Sequence, residues 1–135
     1  MLNKIRYIAG IMLGIAVLVT GCDSSEVALK QAAQARWDAL VKGNLDAAYT
    51  YYTDAFKQTT SLDIFKNQTR GVGLWSGADV KTVQCESSGK RCLVDVDVSV
   101  AMRMRGLVEP VVTTDVVKET WVKEGWFSDW RYIKD

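Results

Sequence analysis

The feature that most constrains the fold of this chain is a change in the spacing of its apolar residues near Ala78. Before that residue, apolar side chains recur at intervals of three and four, which is the pattern of helices with one buried face. After it, apolar and polar residues alternate, which is typical of strands with one buried face. The sequence therefore predicts an α+β domain in which helices precede an antiparallel sheet.

Three helices are predicted before the change in spacing. The first covers residues 26–42 and ends at Gly43, a suitable left-handed C-cap. Asn44 caps the second helix, because its side chain can accept a hydrogen bond from an amide of the first turn. The third helix begins at Ser61 and ends by Gly71. These helices are expected to pack on one face of the sheet.

Four strands are predicted after it, over residues 80–86, 91–105, 111–123 and 130–133. Imperfect alternation around Val116 and Val117 predicts a β-bulge in the third strand. One face of the second strand is entirely apolar and is expected to be buried; it consists of Val94, Val96, Val98, Val100, Met102 and Met104.

The first residues have the layout of an export signal. Lys4 and Arg6 precede an uncharged apolar stretch at residues 8–19, which is shorter than the ~20 residues that a transmembrane helix needs. The stretch ends in Val-Thr-Gly followed by Cys22, and this resembles the bacterial lipobox. A plain signal peptide with a chance cysteine is the alternative interpretation.

The lipobox resemblance implies a domain organisation and a location. Residues 1–21 would be a lipoprotein signal peptide, residues 22–25 a lipidated cysteine (bearing palmitate or a similar acyl chain) with a short tether, and residues 26–135 the folded domain. The protein would then be anchored in the bacterial cell envelope and face the periplasm. Asp23 after the cysteine resembles the inner-membrane retention signal of enteric bacteria, and favours the inner membrane where that sorting rule applies.

The two other cysteines, Cys85 and Cys92, flank a short polar segment between the first two predicted strands. In an exported protein such a pair indicates a disulfide. Two free thiols and half of a metal site are the alternatives, but the sequence offers no further soft ligands. The chain contains no histidine, the most common metal ligand and general base. We therefore expect no metal, no cofactor and no catalytic residues.

Charge argues against nucleic acid as a partner. The whole chain has 17 basic and 16 acidic residues, and without Lys4 and Arg6 the basic count falls to 15. No basic face of the kind that binds phosphates is indicated. Asp95 and Asp97 share the polar face of the second strand, where they are expected to be solvated rather than to form a catalytic pair.

Four segments carry a wider resemblance: ARWDAL at residues 35–40, GNLDAAY at 43–49, ETWVK at 119–123 and WRYI at 130–133. Their order is similar to that in the nuclear-transport-factor-2-like superfamily, whose cystatin-like, cone-shaped roll also occurs in ketosteroid isomerase. The resemblance implies a curved sheet that wraps the long first helix and leaves a pocket at its open end. The isomerase branch uses a carboxylate base with a tyrosine and a protonated carboxyl, and no residue of this chain can be matched to that set.

Aromatic residues are the remaining candidates for binding. Trp75, Trp126 and Phe127 fall in predicted loops or turns, where they could contact a partner or the membrane surface. Tyr52 belongs to a larger aromatic set that either lines a pocket for an apolar ligand or forms the core.

The resulting functional hypothesis is a lipid-anchored envelope protein whose domain binds a ligand or a protein without catalysis. The membrane is one expected partner, and an envelope protein or a second copy of the chain is another. Two alternatives stay open: a pocket enzyme of the isomerase or dehydratase type, and a scaffold subunit of an envelope or secretion assembly.

Overall fold

The computed structural model describes residues 24–134, so the predicted signal peptide and Cys22 lie outside the described residues. The described part is an α+β domain in which helices precede a four-stranded antiparallel sheet. Its elements are α1 (Ser24–Val41), α2 (Leu45–Tyr49), α3 (Asp54–Thr59), α4 (Leu62–Gln68), β1 (Trp75–Cys85), β2 (Arg91–Met102), β3 (Val111–Glu124) and β4 (Asp129–Ile133).

The described residues form four helices, so the prediction of three was wrong. The additional helix is α3, which begins because the Thr53 side chain accepts a hydrogen bond from the amide of Phe56. Asn44 caps α2 in the same way, as predicted, and Ser61 caps α4. Because α3 spans only six residues, it has no repeat of apolar positions that a periodicity analysis could detect.

The sheet has the strand order β1-β2-β3-β4, and each strand pairs with its neighbour in sequence. Val96 of β2 lies opposite Val80 of β1 and Val117 of β3. These residues belong to the inner face, which α1 covers with buried Leu29 and Leu40. The predicted antiparallel order of the sheet is therefore confirmed.

Two details of the strand prediction were wrong. The pairing of β2 with β3 runs past Val116 and Val117 without a register shift, so the predicted bulge is not found there. Val116 points outward and is exposed, while Val117 faces inward and packs against the core. The register shifts lie instead between β1 and β2, and β1 begins five residues earlier than predicted, at Trp75.

The inner face of β2 is buried over only part of its length. Val94, Val96 and Val98 are at most 5% exposed, whereas Met102 and Met104 are 45% and 55% exposed. The strand itself ends at Met102. Thr113 and Asp115, the inward-facing residues of β3 at this end, are also exposed. The expectation that all six apolar residues are buried was therefore wrong, because none of the helices between residues 24 and 134 covers the far end of the face.

No helix between residues 24 and 134 combines the length and apolar character required to cross a bilayer.

Candidate ligand-binding site

A buried ion pair lies at the centre of the inner face. Alternation along β3 places Glu119 on the same side as Val117 and Trp121, and only 2% of Glu119 is exposed. Arg36 on α1 approaches it from the helix layer and is 4% exposed. Charged side chains are seldom fully buried without a partner, and here each is the partner of the other.

Both oxygens of Glu119 accept hydrogen bonds. Oε1 accepts one from Arg36 Nη1 at 2.7 Å and one from Trp37 Nε1 at 2.9 Å. Oε2 accepts one from Trp121 Nε1 at 2.9 Å. Arg36 Nη2 in turn donates to the Tyr52 hydroxyl at 2.9 Å. These five residues are called the Arg36–Glu119 cluster below.

Aromatic rings surround the guanidinium of Arg36. Its central carbon lies 3.9 Å from the ring centroid of Tyr132, 5.0 Å from that of Tyr52 and 5.4 Å from that of Trp37. Such contacts stabilise a desolvated cation. Burial lowers the pKa of Arg36, but the opposing effects of Glu119 and the two tyrosines leave its pKa above the ordinary value. Arg36 is therefore a permanent cation, and its Nε has no hydrogen-bond partner.

A cavity of about 230 Å³ opens beside this cluster. Apolar and aromatic side chains form most of its walls, and the exposed Arg70 and Lys134 add positive charge. Its lining residues are Arg36, Trp37, Leu40, Tyr52, Phe65, Thr69, Arg70, Trp75, Val117, Glu119, Tyr132 and Lys134. The volume lies below the ~300–1,000 Å³ typical of sites for drug-sized ligands, so it suits a small molecule.

Trp75 forms one side of the cavity and depends on a glycine. Its ring packs edge-on against Trp37, with the centroids 5.7 Å apart. Gly71 has a φ of +93°, and a Cβ there would lie 2.5 Å from the Trp75 ring. Any larger residue at this position would displace the indole, so Gly71 allows this wall of the cavity to form.

The structure separates the residues that the sequence singled out. Tyr52 is buried and Trp75 is half-buried at the start of β1 rather than in a loop, and both line the cavity. Trp126 and Phe127 lie elsewhere, in the turn between β3 and β4, and are 95% and 85% exposed. The predicted disulfide between Cys85 and Cys92 is present, and it joins directly opposed residues of β1 and β2.

Asp95 and Asp97, whose predicted role is a solvated face rather than a catalytic pair, are half-buried and do not line the cavity. Asp97 lies 3.7 Å from the ammonium group of Lys81. Among residues 24–134, no three or more histidine, cysteine, aspartate or glutamate side chains come together as a metal site would require.

Sequence reasoning missed Arg36 and Glu119 as residues of the candidate site, although their spacing gave a signal for both. Glu119 stands two residues from both Val117 and Trp121, so strict alternation places it inward. Arg36 lies within the apolar stripe of α1, seven residues after Leu29 and four before Leu40, but this spacing does not reveal which residue neutralises its charge.

Comparison with known proteins supports the fold alone. No protein-family model matches the chain, and no curated protein matches it significantly. A solved SEC-C motif containing protein from Psychrobacter arcticus is similar, with 14% identity and a TM-score of 0.57 over 78% of this chain and 58% of that one. This chain thus spans less than two thirds of that protein.

A second SEC-C motif containing protein, from Rhodopseudomonas palustris, aligns with 12% identity and a TM-score of 0.52. The alignment covers 83% of this chain and 87% of that one. At such low identity both likenesses concern the α+β fold and carry no information about ligands or activity.

Proposed function

We propose that this chain is a bacterial envelope lipoprotein, anchored through Cys22, whose nuclear-transport-factor-2-like domain binds a small ligand without catalysis. The observation that carries the non-catalytic assignment is the hydrogen bonding of Glu119. Both oxygens of the buried carboxylate accept bonds from Arg36, Trp37 and Trp121. A general base must direct a lone pair at its substrate, and three of the roughly four acceptor positions of this carboxylate are already used.

The walls of the cavity favour a particular ligand chemistry. Trp37, Trp75 and Phe65 offer flat apolar surfaces, while Arg70 and Lys134 place positive charge beside them. Glu119 is the acidic residue of the lining, and Arg36 neutralises it. We therefore propose a small, flat, apolar molecule with one anionic group, the apolar part inside and the anion toward Arg70 and Lys134.

Benzoate and its neutral analogue benzyl alcohol test this proposal, with binding followed by tryptophan fluorescence. We expect benzoate to bind more tightly, and we expect Arg70→Gln with Lys134→Gln to remove the difference. Lys118→Gln is the matched control, because Lys118 is an exposed cation of β3 outside the cavity lining. Equal binding of the two probes, or no saturable binding of either, would contradict the proposed chemistry.

A pocket enzyme of the isomerase or dehydratase type is the second candidate. One observation favours it: Glu119 is a carboxylate buried beside aromatic residues, which is where such an enzyme needs its base. The test is turnover of ketone and hydroxy-acid substrates followed by NMR. Turnover that disappears in Glu119→Gln while the variant stays folded would establish the enzyme and exclude the non-catalytic proposal.

A protein partner in the envelope is tested in membranes. The full-length protein is crosslinked mildly and affinity-purified beside a Cys22→Ala form. Envelope proteins that co-purify only with the Cys22 form would support an anchored assembly, the scaffold alternative included. A monomer or self-dimer without other proteins would favour the ligand-binding role.

A further inference from the structure

The turn between β3 and β4 exposes two large aromatic side chains next to each other. Trp126 is 95% exposed and Phe127 is 85% exposed, and neither takes part in the cavity described above. Residues 125–128 are called the aromatic turn. Adjacent exposed aromatic residues of this size mark a surface that contacts something apolar.

The aromatic turn lies next to the first residues of α1. Phe127 and Ser128 line a groove of about 520 Å³ together with Ser24 and Ser25. Trp130 Nε1 also donates a hydrogen bond to the Ser25 carbonyl at 3.1 Å. The turn and the start of α1 are thus held together.

This position relates the turn to the predicted anchor. Cys22 precedes Ser24 by two residues, and two residues of chain span at most about 7 Å. An acyl chain on Cys22 would therefore bring the bilayer surface to the end of the domain that carries the aromatic turn.

The charges around the turn balance one another. Asp129 lies 3.3 Å from Arg131, and Glu124 accepts a hydrogen bond from the amide of Asp54 at 3.0 Å. The ammonium of Lys123 lies 5.1 Å from the Trp130 ring centroid. The charges of Lys123, Glu124, Asp129 and Arg131, which flank the turn in sequence, sum to zero and would not repel an anionic lipid surface. Tryptophan is also a residue type enriched at membrane–water interfaces.

We propose that Trp126 and Phe127 insert into the lipid surface and form a second membrane contact beside the anchor. This inference rests on the proposed lipidation of Cys22. An anchor at one point fixes the position of the domain but leaves it free to rotate about the tether, whereas a second contact also restrains its orientation. Leu40, which lines the cavity, is 15 residues beyond Ser25 on α1, or about 22 Å along the helix. The second contact thus directs the cavity away from the bilayer.

Fluorescence quenching in vesicles tests the inference. The full-length protein is reconstituted into phosphatidylethanolamine–phosphatidylglycerol vesicles with and without brominated lipid, which quenches tryptophan at the depth of the bromine. We expect quenching in the natural sequence and its loss in Trp126→Ser. The matched control is Val108→Trp in the Trp126→Ser background, because Val108 is also 95% exposed but lies in the β2–β3 connection, remote from the aromatic turn.

The outcomes separate this inference from the anchor on which it rests. The mass of the purified protein shows whether Cys22 carries acyl chains. Lipidated protein whose quenching depends on Trp126 and is not restored by Val108→Trp supports the second contact. Lipidated protein with no quenching at Trp126, or with equal quenching at position 108, overturns it and leaves the anchor intact. A photo-crosslinker at position 126 that labels a protein instead of lipid also overturns it.

Discussion

The two halves of the β2–β3 strand pair share one inner face but have different surroundings. In the covered half, Val96 and Glu119 lie beneath the helices and are almost fully buried. In the open half, Met102 and Asp115 occupy inward-facing positions and are exposed. Alternation along a strand therefore determines which face a residue occupies, and the reach of the helix layer determines whether that face excludes water.

The largest expected effect is on the buried ion pair of the covered half. Glu119→Ala leaves the Arg36 charge buried without its partner, which costs about 3–5 kcal/mol. Asp115→Ala, on the same face of the same strand, should change stability by less than about 0.5 kcal/mol. Urea unfolding followed by circular dichroism measures both, and similar losses for the two variants would contradict the comparison.

A double variant separates charge burial from loss of packing at the same site. In Arg36→Met with Glu119→Leu, both charges are replaced by apolar groups. Because no charge is then left unpaired, we expect this variant to be more stable than Glu119→Ala. A double variant as unstable as Glu119→Ala would show that packing rather than charge causes the loss.

The second effect concerns the disulfide at the covered end of β1 and β2. Replacing both Cys85 and Cys92 by alanine removes a bridge that closes a loop of about eight residues, which costs about 2.5 kcal/mol in the chain-entropy model. Dithiothreitol should lower the stability of the natural sequence and leave the double variant unchanged. A reductant effect of equal size on both would contradict this assignment.

The third effect compares two apolar residues of the same strand face. Val96→Ala removes buried methyl groups and leaves a small cavity, for which we expect a loss of about 2 kcal/mol. Met102→Ala removes an exposed side chain, and we expect a change within about 0.5 kcal/mol. Thermal unfolding of the two variants measures this difference. If Met102→Ala lost more stability than Val96→Ala, the open half would have to be covered by another part of the protein, and the comparison would be wrong.

The smallest effect concerns an exposed ion pair. A hydrogen bond from Lys81 and its positive charge lower the pKa of Asp79 in the folded protein. The ion pair therefore stabilises the folded state at pH values above the unfolded Asp pKa of about 3.9. This stabilisation disappears as the pH falls through the lower pKa of the folded protein. Both side chains are exposed, so salt should screen the effect. Urea unfolding at several pH values should show that the stability difference between the natural sequence and Asp79→Asn shrinks as the pH falls. A difference that grows on acidification would contradict the lowered pKa of Asp79.

The order of the elements was predictable because periodicity and caps are local properties. Asn44 acts as the expected cap, a helix starts at Ser61 as expected, and Val94, Val96 and Val98 form the expected buried face. The candidate site was less predictable. The pairing of Arg36 with Glu119 and the exposure of Met102 depend on which distant elements meet, and no local pattern contains that information.

Mass spectrometry of the protein purified from its own membranes tests the central claim, lipid anchoring at Cys22, most directly. The account predicts a mature chain that begins at Cys22 and carries acyl chains on that residue, and an unprocessed, unacylated Cys22→Ala form. A chain from the natural sequence that begins elsewhere, or that begins at Cys22 without added lipid, would contradict the anchor and the membrane contact inferred from it.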